Sequence, residues 1–137
     1  MSKYMCTSAL DAALQFIADN GDTLIVCDGL PQNYESAIKA KSLGGALLAK
    51  TSLTLGCDAG DYTIANSPRN RGRQLKLESQ SFIAIEDTGT ADHIAIINSK
   101  SKQLLLITNL YHKASLSKGA HTDISSFHEE ILHFIDE

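Results

Sequence analysis

Between Asp22 and Ile107 the chain is broken into short apolar runs by clusters of Gly, Asn, Ser, Asp and Pro, and this punctuation limits its fold more than any other feature. A strand needs only about four to eight residues, whereas an ordinary helix needs at least ten to twelve. The first run, Asp22 to Cys27 (DTLIVC), is β-branched and closes on Asp28-Gly29. Ala46 to Leu55 follows Gly45 and passes from an apolar stretch into alternating Leu and Thr. Tyr62 to Ile64, the strictly alternating Gln74 to Glu78 (QLKLE), Phe82 to Ile85, His93 to Ile97 and Leu104 to Ile107 complete the series. Asn98 to Lys102 (NSKSK) joins two strongly apolar runs and predicts a hairpin. The pattern predicts a mainly β protein, an antiparallel β-sandwich or barrel-like domain.

One helix precedes the strands. Leu10, Ala13, Leu14 and Ile17 recur at helical spacing over residues 8–20, Ser8 and Asp11 approximate a capping box, and Asn20-Gly21 stops the helix. Tyr34 to Lys41 (YESAIKAK) has the pattern of two turns of polar helix ended by Gly44-Gly45. Phe127 to Ile135 (FHEEILHFI) fits a helix or a strand, because Phe127, Ile131, Phe134 and Ile135 share a helix face while Phe127, Glu129 and Ile131 share a strand face.

The 137 residues, 43% of them hydrophobic, suit a single domain over residues 1–137. Twelve basic and 16 acidic residues give a net charge of -4, so no overall field draws the chain to nucleic acid or an anionic membrane. No run approaches the roughly 18 apolar residues of a membrane helix, and no secretory leader is read at the N-terminus. Synthesis in a cytosol is therefore expected. Cys6, Cys27 and Cys57 have no CxxC spacing and read as buried hydrophobes or idle thiols.

The catalytic templates fail one after another. His128, Glu129 and His133 approach the zinc-protease helix signature, but the histidines stand at i and i+5, where neither a helix nor a strand converges both rings on one metal. His112 and His121 lie in a polar segment and could join a surface metal site, but nothing fixes their geometry. His93 follows Asp92 at the head of an apolar run, yet adjacent strand residues point to opposite faces, so Asp92 is not expected to orient it. There is no Gly-x-Ser-x-Gly elbow, no phosphate loop and no calcium loop. No catalytic, metal or cofactor site is expected. Ser67 to Arg73 (SPRNRGR) places Arg69, Arg71 and Arg73 in one loop, and guanidinium forks suit carboxylate or phosphate partners. Without interleaved aromatics, docking onto an acidic protein surface is preferred to sequence-specific nucleic-acid binding. The bland alternative is a solvated turn.

Three stretches together suggest a family. The helix Ala9 to Asn20 leads to the Cys27-Asp28-Gly29-Leu30-Pro31 corner and Tyr34-Glu35-Ser36-Ala37. Ser42-Leu43-Gly44 then forms a strand entry, and Arg71-Gly72-Arg73 opens an alternating strand. With Thr88-Gly89-Thr90-Ala91-Asp92-His93-Ile94-Ala95-Ile96, which is similar to a Gly-Thr-Ala-x-His run before an apolar strand, the chain resembles small virion-associated structural proteins of tailed bacteriophages. Asp92 stands where that family has Thr or another small polar residue, and the C-terminal segment departs further. The resemblance implies a β-rich virion component without catalytic residues, and a closing strand at Phe127 to Ile131. The expected function is a capsid decoration or cement protein, or a small neck or tail component. Its expected partners are capsid, neck or tail proteins and further copies of itself, in a virion assembled in the host bacterial cytoplasm. A small cytosolic hydrolase or ligand-binding module is the alternative.

Overall fold

The structure, a computed structural model, describes residues 6–66 and 72–132. Its elements run α1 (Thr7–Asn20), β1 (Thr23–Cys27), α2 (Tyr34–Ile38), a 3-10 turn (Lys41–Leu43), β2 (Leu47–Ser52), β3 (Tyr62–Asn66), β4 (Gly72–Leu77), β5 (Gln80–Ala84), β6 (Gly89–Asn98), β7 (Gln103–Leu116), β8 (His121–Ile124) and β9 (Phe127–Leu132). Every strand pairing is antiparallel, and the sheets are open and sandwich-like, with no closed barrel among the described residues. The protein is mainly β with one long N-terminal helix, as the turn-bounded runs require.

Contacts divide the chain into two compact units, each assembled from separated segments. The first unit joins Met1–Asn20, Thr54–Ser79 and Ser125–Glu137. Here α1 packs on β3 and β4 of a three-stranded sheet ordered β3-β4-β9. Leu10, Leu14 and Ala18, spaced four apart, form the buried helix stripe, while Tyr62, Leu75 and Leu77 are buried in the sheet. The Cys6 carbonyl accepts the N–H groups of Ala9 and Leu10, so the helix starts at Thr7, two residues before the Ala9 that a Ser8 cap would make its first, and Ser8 lies inside it. Asp11 is drawn away from the expected capping box to a 2.6 Å ion pair with Arg73 of β4. The ambiguous segment is a strand through Leu132, with Phe127 opposite Leu77 and Glu129 opposite Leu75.

The second unit joins Gly21–Leu53 and Gln80–Ile124. Its main sheet runs β2-β1-β6-β7, and the pair β5-β8 is linked to it by a bridge from Ile85 to Ala49. One face of the main sheet carries Ile25, Cys27, Ala95 and Ile97, which pack with Ala37 of α2, Tyr34, Leu104 and Ile107. Leu24, Val26, Ile94 and Ile96 on the other face are also buried. Burial of both faces is why these strands read as unbroken apolar runs. A full capping box between Asn33 and Ser36 starts α2, but the helix ends after one turn at Ile38. The residues expected to enter the next strand, Ser42 and Leu43, instead belong to the 3-10 turn.

The two edges of the main sheet are treated differently. On β2, the Leu48 carbonyl accepts the N–H groups of Glu86 and Asp87, and Leu47 bridges Ala40, so the strand is covered by its own unit. β7, by contrast, pairs only with β6 among the described residues. Register shifts opposite Ile96/Ile97 and Ala91/His93 put extra residues into β7 at Leu105 and over 110–113. Bulges of this kind twist an edge strand away from flat pairing and blunt its tendency to recruit another chain.

Candidate functional site

Among the described residues, those singled out by sequence do not form one site. Arg69 and Arg71 lie outside the described residues. Arg73 sits in β4, where its Nε donates to Asp11 Oδ1 at 2.6 Å and its Nη1 to Asn66 Oδ1 at 2.7 Å, so its fork is engaged within its own unit. His128 stands in β9 opposite Lys76, and His133 lies outside the described residues. Among the described residues no group of three or more His, Cys, Asp or Glu side chains is placed to hold a metal ion. His112 and His121, read as lying in a polar segment, are strand residues of β7 and β8.

Asp92 and His93 overturn one expectation. His93 Nδ1 lies 2.8 Å from Asp92 Oδ1, although neighbours on a regular strand point apart. The cause is the bulge between Ala91 and His93, where Ala91 pairs with Ala114 but His93 pairs with Asn109. Asp92 Oδ1 also accepts the Gly29 N–H at 2.7 Å, and Asp28 Oδ2 accepts the Thr90 N–H at 3.0 Å, a reciprocal clamp between the exit of β1 and the start of β6. Lys41 approaches Asp28 at 3.6 Å. A Cβ on Gly89 would come within 2.7 Å of Asp28 Oδ2 and 2.8 Å of Leu48 Cδ2, so a larger residue there would displace these side-chain ends. Burial pushes the Asp92 carboxyl up, but hydrogen bonds from His93 and Gly29 and the nearby charges outweigh it and hold the group below its usual 3.8. Across the β1–β6 ladder His93 is opposite Cys27. Burial, then the Asp92 charge, pushes the Cys27 thiol up to about 12, so it carries no nucleophilic thiolate at neutral pH. The chemistry of this corner is that of a clamp holding two strands together.

The most unusual surface residue is Phe82. It is 74% exposed, the most of any large hydrophobic side chain among the described residues, and its φ is +58°. A bulky residue in the left-handed region costs of order 1 kcal/mol or more and needs its surroundings to hold it there. Here the β5–β8 register slips between Gln80 and Ile83, the Phe82 N–H donates to Asp123 Oδ1 at 2.8 Å, and the ring stacks on His121 with centroids 3.8 Å apart. Ile83 and Ile85 turn inward and are buried, which leaves Phe82 outward. The run Phe82 to Ile85 (FIAI) is apolar throughout, so it predicts a strand without showing which of its residues face solvent. Nothing in the sequence marks the left-handed backbone, because such positions usually announce themselves with Gly or Asn.

The same unit contains an open groove of about 700 Å³ on the α2 face of the main sheet. Ile25, Leu47 and Ile97 are its buried floor, and Tyr34 and Ile38 of α2 form one wall. Exposed Lys50, Ser52 and Glu86 supply its polar rim. No residue of β5 or β8 lines it. No helix among the described residues is long and apolar enough to cross a membrane. No protein-family model, curated protein or solved structure matches the chain.

Proposed function

We propose that this protein is a structural component of a tailed-bacteriophage particle, a capsid decoration or cement protein or a small neck or tail component, acting by protein–protein assembly and not by catalysis. The phage setting rests on the resemblance through Thr88 to Ile96 and the Cys27 to Pro31 corner. The observation that carries the assembly reading is Phe82, an aromatic ring held out to solvent on a strained backbone. Strain of that kind persists where a surface feature is used, and large aromatic anchors dominate the energetics of protein interfaces. The hydrolase alternative has less support, since the thiol opposite His93 is buried and pushed up to about 12, and the Asp92 oxygen that meets His93 also holds the Gly29 N–H.

Arg69 and Arg71 are proposed as further contacts to an acidic partner surface. Arg73 contributes less to such a contact because Asp11 and Asn66 already hold it. Mass spectrometry of purified virions tests the reading, and the protein is expected at stoichiometric copy number. Its absence from purified particles would discard the virion role. Undiminished incorporation of an Arg69→Ala, Arg71→Ala, Arg73→Ala triple variant would discard the arginine contacts alone.

A further inference from the structure

We draw no further inference here: the strongest candidate, the open groove of about 700 Å³ on the α2 face of the main sheet with Lys50 and Glu86 on its rim, has a floor of Ile25, Leu47 and Ile97 that is already buried within its own unit, and nothing in the structure shows what covers it.

Discussion

Asp22 and Asp92 hold the two ends of the same strand pair. At the start of β1, Asp22 accepts the Ser99 N–H and hydroxyl across the end of β6. Just past the end of β1, Asp92 accepts the Gly29 N–H. Burial raises both carboxyls, and the hydrogen bonds from Ser99 and Thr23 in one case and from His93 and Gly29 in the other bring them below 3.8. A carboxyl whose folded pKa is depressed stabilises the fold above its unfolded value, and that contribution disappears as pH falls through the lower folded value. The melting midpoint should therefore drop as pH falls below about 3.8, and an Asp22→Asn, Asp92→Asn double variant should show a shallower acid slope than wild type. Cysteine labelling offers a second residue-scale check. Cys6 is exposed and Cys27 fully buried with its thiol near 12, so iodoacetamide should modify Cys6 in the native protein and reach Cys27 only after unfolding. Rapid native labelling of Cys27 would contradict the buried geometry. Neither clamp was legible in the sequence. The Asp92 bulge exists because the partner strand carries extra residues over 110–113, and no window around Asp92 contains that information.

Elements with a strong local pattern were readable, and those whose form depends on distant partners were not. Gln74 to Glu78 alternated visibly and became β4. Asn98 to Lys102 read as a hairpin because Asn98 Oδ1 gathers the Lys100 and Ser101 N–H groups, a purely local device. By contrast β8, with the sequence HTDI, offers a single apolar residue, Ile124, and owes its strand form to pairing with β5. Among the turns, the one after α2 is the least tolerant. A Cβ on Gly45 would run into the backbone carbonyl of Lys39, which also accepts the Leu47 N–H. Gly45→Ala should cost about 1–3 kcal/mol, read by urea denaturation, because the obstructing atoms are backbone and cannot rotate away. A loss below about 0.5 kcal/mol would show that the turn yields. Within the main sheet, β1 and β6 have strand neighbours on both sides whereas β7 has one among the described residues. Amide exchange should accordingly be slowest in β1 and β6, and β7 should exchange faster than either.

At the scale of the whole molecule, the contacts group the chain into two compact units, and composition carries no trace of that grouping because it depends on which remote segments pair. The first unit takes its helix from the beginning of the chain, β3 and β4 from the middle and β9 from near the end, while the second is nested between them. A chain stopped after Ile124 should keep slow amide exchange in β1 and β6, whose partners are all present, and lose it in β4, left with β3 alone. Preserved protection in β4 would mean that β9 is dispensable. The nesting also sets a timetable during translation. The ribosome delivers residues at about 5–20 per second in chain order, so α1 precedes the strands it packs on, β3 and β4, and β9 follows only after the second unit's strands. Until β3 and β4 are made the Leu10, Leu14 and Ala18 stripe has no sheet to cover it, and until β9 follows, β4 keeps one open edge.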